Sequence, residues 1–206
     1  VTRDWSNLYL SLNNGTDRLT LQYWFSGETY KVEKVEFADG TTWDAAQILS
    51  LTTVGTDGND VLIGSNTNDT LTGFGGDDTL YGQGGDDTLD GGVGIDNLQG
   101  GSGNDVFLFG PSSGQDSVSD YDPTTGNIDT VRLAAGITAD DVKVTRDFSN
   151  LYLSLNNGAD RMILSNWFSG DAYRVEKMEF ADGTIWSAAD LLAKASIATN
   201  DNDMLV

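Results

Sequence analysis

Aspartate recurs at every ninth residue along one stretch of this chain, at Asp60, Asp69, Asp78, Asp87, Asp96 and Asp105. Each is preceded five residues earlier by glycine (Gly55, Gly64, Gly73, Gly82, Gly91, Gly100). Each is followed two residues later by a large apolar side chain (Leu62, Leu71, Leu80, Leu89, Leu98, Phe107). Carboxylates at a short fixed period, set among glycines that can turn backbone carbonyls to one side, suit one kind of chemistry. They can hold a hard cation with oxygen ligands alone, which favours calcium over a transition metal. The chain offers nothing softer, because it contains neither His nor Cys. A Ser-His-Asp or Cys-His nucleophile, a Cys/His zinc site and a disulfide framework are therefore excluded. Carboxylate pairs such as Asp77-Asp78, Asp86-Asp87 and Glu33/Glu36 could formally serve as a glycosidase acid and base. They recur with the scaffold, whereas a catalytic pair is singular and asymmetric. The expectation is that this is not an enzyme.

Charge points the same way. Thirty-two Asp and Glu against 11 Lys and Arg give a net charge of −21 and a pI near 4.1, which excludes binding to a nucleic-acid backbone. No Lys or Arg occurs between Lys34 and Arg132, and 15 of the 25 glycines fall between Gly55 and Gly103. No apolar run approaches the roughly 20 residues of a membrane span, and no basic-then-apolar segment opens the chain.

A glycine-rich hexamer followed by three residues with one central apolar side chain predicts a tight turn and a very short strand. Such strands cannot stand alone. Stacking equivalent blocks buries the apolar positions as a ladder, at about 4.8 Å per layer. The aspartates then stack too, and an unneutralised column of carboxylates at that spacing repels itself, so a cation is needed between turns. Low hydropathy and high charge would ordinarily suggest a disordered linker; disorder does not require Leu or Phe at every ninth position.

The six blocks resemble the RTX, or haemolysin-type, calcium-binding nonapeptide G-G-x-G-x-D-x-U-x. That resemblance implies a parallel β-roll in which alternate blocks lie on opposite sides and turns 18 residues apart share an ion. Asp60, Asp78 and Asp96 would line one edge, and Asp69, Asp87 and Asp105 the other. The family pattern takes carbonyls from positions two and four of one turn, and from positions one and three of the turn after next. It implies four inter-turn sites, hence about four or more calcium ions. The first two join Thr56, Gly58 and Asp60 with Gly73, Gly75 and Asp78, and Ser65, Thr67 and Asp69 with Gly82, Gly84 and Asp87. The others join Phe74, Gly76 and Asp78 with Gly91, Val93 and Asp96, and Gln83, Gly85 and Asp87 with Gly100, Ser102 and Asp105. Ser65 and Thr67 replace glycines, which marks their site as the weakest. After Gly110-Pro111 the register breaks, and Gly92, Gly94, Gly101 and Gly103 would close terminal ions with Asp116 or Asp122.

A second, longer repeat frames the blocks. Val1 to Ser50 aligns without gaps onto Val144 to Ala193, with 35 of 50 positions identical. Alternating leucines (Leu8, Leu10, Leu12; Leu151, Leu153, Leu155) run up to Asn14-Gly15 and Asn157-Gly158, a hairpin signal. Further strands are expected at Arg18 to Gln22, Val32 to Phe37, Arg161 to Ser165 and Val175 to Phe180. Helical turns are expected at Trp43 to Leu49 and Trp186 to Leu192. These flanks resemble the β-rich domain that follows RTX blocks in secreted bacterial proteins. The expected organisation is a partial flank over 1–51, a calcium-binding roll over 52–108, a complete capping flank over 109–193, and the start of another block over 194–206. The fold class is all-β: a parallel β-roll of six nonapeptide repeats flanked by two homologous β-rich segments.

The matched aromatics Tyr9/Tyr152, Trp24/Trp167, Tyr30/Tyr173 and Trp43/Trp186 read as core beside alternating leucines. The alternative is a glycan-binding or adhesin platform with the roll as spacer. By resemblance, such a module belongs to a large protein exported through type I secretion machinery. It would be unfolded at low cytosolic calcium and folded outside the cell. The second flank is expected to nucleate folding. The first is expected to be dispensable, packing at the roll's amino-terminal end or pairing between chains.

Overall fold

The computed structural model describes residues 1–11, 16–26 and 28–195. The first hairpin turn, Asn14-Gly15, and most of the expected further block over 194–206 lie outside them. The first flank supplies β1 (Thr2–Arg3), β2 (Leu8–Ser11), β3 (Arg18–Leu21), β4 (Lys34–Glu36), β5 (Thr42–Asp44) and α1 (Ala45–Ser50). The repeats supply β6 (Val61–Ile63), β7 (Thr70–Thr72), β8 (Thr79–Gly84), β9 (Thr88–Asp90), β10 (Asn97–Ser102) and β11 (Val106–Phe109). The second flank supplies β12 (Gln115–Val118), β13 (Thr130–Leu133), β14 (Val142–Arg146), β15 (Leu151–Leu155), β16 (Arg161–Leu164), β17 (Lys177–Glu179), β18 (Ile185–Ser187) and α2 (Ala188–Ala195).

Alternate repeat strands fall into two facing sheets, as an 18-residue stacking period requires. One sheet runs β14-β15-β16-β12-β10-β8-β6 and the other β18-β17-β13-β11-β9-β7. Pairing from β6 to β16 and from β7 to β17 is parallel throughout. The fold is an all-β parallel roll. Its interior is two ladders: Leu62, Leu80, Leu98, Val118 and Leu164 in register on one sheet, and Leu71, Leu89, Phe107, Val131 and Met178 on the other. All ten side chains are buried in one continuous core. At roughly 1.5–3 kcal/mol for each fully buried side chain, the ladder is the main apolar term holding the turns in register.

The stacking does not stop at the last nonapeptide. β12 and β13 lay two more parallel rungs on β10 and β11, and β16 and β17 add a further pair before antiparallel β15 and β14 close one sheet and antiparallel β18 the other. The hairpin signal Asn157-Gly158 is the turn between β15 and β16, with Gly158 at φ 72°, a conformation that glycine adopts without steric cost. The expected helical turns start later than their tryptophans. Trp43 and Trp186 lie on strands β5 and β18, and the helices begin at Ala45 and Ala188. Asp44 caps α1 through the Gln47 N–H, and the Gln47 side chain accepts the Asp44 N–H in return, so the capping residue sets the start.

The first flank forms its own small core of Leu8, Trp24 and Ile48 and lies against the beginning of the roll. The Arg3 guanidinium donates to the carbonyls of Ile63 and Gly64 at 3.2 and 2.7 Å, its face covers the Phe25 ring, and the Trp5 ring packs at a tilt against Tyr81. Trp24 and Trp167 are buried, and their indole N–H groups donate to Val32 and Val175 carbonyls. They are core residues, not an exposed platform.

Candidate metal centre

Each turn of the roll hangs on the next through its aspartate. The backbone N–H of Asp60 donates to Oδ1 of Asp78, that of Asp78 to Asp96, that of Asp69 to Asp87 and that of Asp87 to Asp105, every one at 2.8 Å. The aspartates form two columns on opposite edges, as the 18-residue offset demands. The carboxylates of Asp78, Asp87, Asp96 and Asp105 are buried, and their Oδ2 atoms meet no hydrogen-bond donor among the described residues. An undonated buried carboxylate oxygen is costly unless a cation satisfies it.

The glycines show where those oxygens converge. A Cβ added to Gly73 would overlap both Asp78 Oδ2 and the Gly91 carbonyl oxygen, and one added to Gly82 would overlap Asp87 Oδ2 and the Gly100 carbonyl oxygen. Each missing side chain thus opens a cradle lined by a carboxylate from one turn and a carbonyl from the turn stacked on it. The four groups of residues named from the sequence are all adjacent. Gly75 N–H donates to Thr56 O, Gly84 N–H to Ser65 O, Val93 N–H to Phe74 O, and Gly85 N–H to Ser102 O. Each carbonyl keeps a second lone pair. An oxygen-only cradle of carboxylates and carbonyls fits calcium.

The six turns are not alike. Positions two and four take positive φ in the last four blocks, at Phe74 (75°), Gly76, Gln83 (80°), Gly85, Gly92, Gly94, Gly101 and Gly103. In the first two blocks Thr56, Gly58, Ser65 and Thr67 do not. There the hydroxyls and N–H groups of Thr56 and Ser65 donate to Oδ2 of Asp60 and Asp69, so these two turns satisfy their own carboxylates. Ser65, which with Thr67 was expected to weaken its site, thus already donates to the carboxylate oxygen an ion would need, and Thr56 does the same in the block before.

The columns run on into the second flank, which the nine-residue period did not reveal. Asp96 N–H donates to Asp116 Oδ1, Asp105 N–H to Asp129 Oδ1, and Asp129 N–H to Glu176 Oε2. Gly101 N–H donates to Asp120 Oδ1 and Gly103 N–H to Asp122 Oδ2. Asp116 and Asp122 stand over Asp96 and Gly103, close to the terminal glycines. Asp120 and Asp129 were missed, because the spacing lengthens to eleven residues from Asp105 to Asp116 and thirteen from Asp116 to Asp129. Burial pushes the carboxyls of Asp87 and Asp105 up to about 7, Asp116 to about 8 and Asp129 to about 9. It raises Asp78 and Asp96 as well. Neighbouring carboxylates add to the shift, and each of these groups calls for a proton or a cation.

Stacked parallel turns with carboxylates facing carbonyls define a parallel β-roll of the calcium-binding kind. Residues 54–89 and 81–111 match the RTX calcium-binding nonapeptide repeat, and residues 7–47 and 150–190 match the haemolysin-type calcium-binding protein related domain. The chain belongs to the RTX, haemolysin-type calcium-binding repeat proteins. It is 33% identical over 103 residues to the iron-regulated protein FrpA of Neisseria meningitidis serogroup C, a match covering 48% of this chain and 9% of that protein's length. Among solved structures it is similar to the AlgE6R3 subunit of the Azotobacter vinelandii mannuronan C5-epimerase, with 27% identity, 73% of this chain and 93% of that one covered, and a TM-score of 0.45. It is also similar to the extracellular lipase LipA from Serratia marcescens, with 21% identity, 78% and 24% covered, and a TM-score of 0.41.

Proposed function

We propose that this chain is a calcium-driven folding module of a large secreted protein. Calcium ions held between successive turns of the roll switch it from unfolded to folded outside the cell, after type I export. The observation that carries this reading is the set of four buried, undonated Oδ2 atoms on Asp78, Asp87, Asp96 and Asp105. The ligand sets are those named above: Thr56, Gly58 and Asp60 with Gly73, Gly75 and Asp78, and the three equivalent sets that follow. The module is scaffold and not enzyme, since its carboxylates recur with the fold.

The energetics suit a switch. At the roughly 0.1–1 mM dissociation constants typical of extracellular modules, calcium at ten times that value stabilises by about 1.4 kcal/mol per independent site. Four sites contribute roughly 5–6 kcal/mol, comparable to the stability of a whole domain. Far-ultraviolet circular dichroism tests the reading. Calcium should convert a largely unfolded chain into β structure and magnesium should do so poorly, because magnesium demands a smaller octahedral cage. A spectrum unchanged between chelator and calcium would sink it.

A further inference from the structure

The segment from Ser119 to Asp129 lies on the turn of the last nonapeptide, where another glycine-rich turn would otherwise stack. It holds three aspartates, Asp120, Asp122 and Asp129, and a fourth, Asp116, lies just before it. Carboxylate oxygens of Asp105, Asp120 and Asp129 all lie within 4.8 Å of one another, and all three residues are buried. Each is aimed by a backbone donor of the turn beneath or within the column. Gly101 N–H holds Asp120 Oδ1 at 2.7 Å, and Asp105 N–H holds Asp129 Oδ1 at 2.8 Å. Asp105 is fully buried, and its Oδ2 has no donor. That orphaned oxygen distinguishes this cluster from a surface patch of acids.

We propose that Asp105, Asp120 and Asp129 form a calcium site at the end of the repeat stack, distinct in composition from the inter-turn sites. Side-chain carboxylates from a non-repeat loop replace the backbone carbonyls of a following turn, and this site is the tightest in the chain. The proposal rests on the reading of the chain as calcium-binding. Calcium affinity rises with the number of charged ligands. An inter-turn site draws on two aspartates, interior ones shared with a neighbouring ion, whereas this site gathers three at one point, of which Asp105 alone is shared with the inter-turn ion beside it. The charges acting most strongly on Asp105 and Asp129 are other carboxylates, from Asp120, Asp122, Asp86 and Asp105 itself. Three buried carboxylates this close repel one another, and a divalent cation seated among them would offset that repulsion. The site joins β11, the loop before β13 and the base of β13, so the first ion bound would fasten the flank to the roll. Growth of the stack from a fixed end then gives each turn a formed neighbour.

Isothermal titration with calcium chloride alone, on the full chain and on Asp120→Asn, Asp129→Asn and Asp60→Asn, tests the site. The unsubstituted chain should show one class of ion bound at least tenfold more tightly than the rest. Asp120→Asn and Asp129→Asn should weaken that class at least tenfold and leave the weaker classes in place, while Asp60→Asn leaves the tight class intact. The charge-conserving Asp120→Glu keeps the local electrostatics should an Asn variant fail to fold, and it too should weaken the tight class alone. At saturating calcium Asn at either position should melt lower than aspartate, whereas a merely structural acceptor, which Asn retains through its amide oxygen, would leave the melt unchanged. Calcium binding with no tight class, or a tight class unchanged in both Asp120 variants, would overturn this site and leave the inter-turn reading standing. No calcium binding by the unsubstituted chain would overturn both.

Discussion

The backbone N–H of Asp87 donates to Oδ1 of Asp105, eighteen residues further along, at 2.8 Å, while Oδ2 of that same carboxylate is buried without a donor. One side chain thus divides its labour: one oxygen fastens two turns together and the other is left for a cation. Asp87 has the same division with Asp69 beneath it.

This division separates two substitutions that are usually treated alike. Asp78→Asn and Asp87→Asn retain an acceptor for the neighbouring N–H but lose a charged ligand shared by two ions. Each should lower the calcium stoichiometry by up to two and cost about 3 kcal/mol of calcium-dependent stability at ten times the dissociation constant. Asp60→Asn, at the end of its column, should cost at most one ion. Asp78→Ala also strands the Asp60 N–H, so at equal calcium it should melt below Asp78→Asn. Stoichiometry from calorimetry and melts at fixed calcium check both points; equal ion counts for Asp78→Asn and Asp60→Asn would exclude shared ligands.

The second prediction uses backbone strain. Phe74 sits at φ 75° and is half exposed, so its ring contributes little burial while its backbone bears the left-handed cost of about 1–3 kcal/mol. Phe74→Gly should relieve that cost and lose about 0.5–1 kcal/mol to the freer unfolded chain, a net gain near 1 kcal/mol. At fixed calcium the melting temperature should rise by about 2–4 °C. Phe74→Val, branched at Cβ, should lower it. A lower melting temperature for the glycine variant would show that the ring matters more than the backbone.

Much of this architecture could be read from residue spacing, and the unread parts have physical reasons. The nine-residue period of Leu62 to Phe107 announces short stacked strands, while the placing of alternate blocks on two sheets, and with it which aspartates share an edge, comes from the resemblance to the RTX repeat. Once the intervals lengthen at Asp116 and Asp129, period and glycine pattern vanish together. Val118 and Val131, which continue the apolar ladders, sit in the runs QDSV and TVRL, too short to signal a buried strand. Thr56 and Ser65 looked like suppliers of a carbonyl; that their hydroxyls would satisfy Asp60 and Asp69 depends on φ at those positions, which spacing does not specify. The contact of Arg3 with the Ile63 and Gly64 carbonyls joins residues some 60 positions apart, and no local pattern announces it.

The two flanks should differ in what their removal does. Deleting Asp120 to Ala193 strips Val131, Leu164 and Met178 from the ladders and removes Asp129, the acceptor for Asp105 N–H. The calcium-induced β signal should be lost. Deleting Val1 to Leu51 removes the Arg3 bonds to the end of β6 and the Trp5–Tyr81 ring contact but leaves both ladders intact. Calcium-induced folding should persist, with a lower stability confined to the first two turns and read as faster amide exchange at Leu62 and Leu71. The opposite ranking of the two truncations would mean that the stack grows from its amino-terminal end.

The last prediction concerns pH, and its direction depends on calcium. In the calcium-free fold, burial lifts Asp87 and Asp105 to about 7, Asp116 to about 8 and Asp129 to about 9, against an ordinary value of 3.8. Between about pH 4 and pH 9 the folded chain therefore holds protons that the unfolded chain has released. Stability must fall as pH rises through that window. Relief of the −21 net charge on acidification acts in the same sense. Acid should partly substitute for calcium, so the chain in chelator should show more β signal and a higher melting temperature at pH 5.5 than at pH 8.5. Calcium displaces those protons, so its apparent affinity should rise over the same interval. Melts and calcium titrations at the two pH values test both halves. A calcium-free chain more stable at pH 8.5, or calcium bound more tightly at pH 5.5, would show that the buried aspartates are already ionised and compensated by something other than calcium.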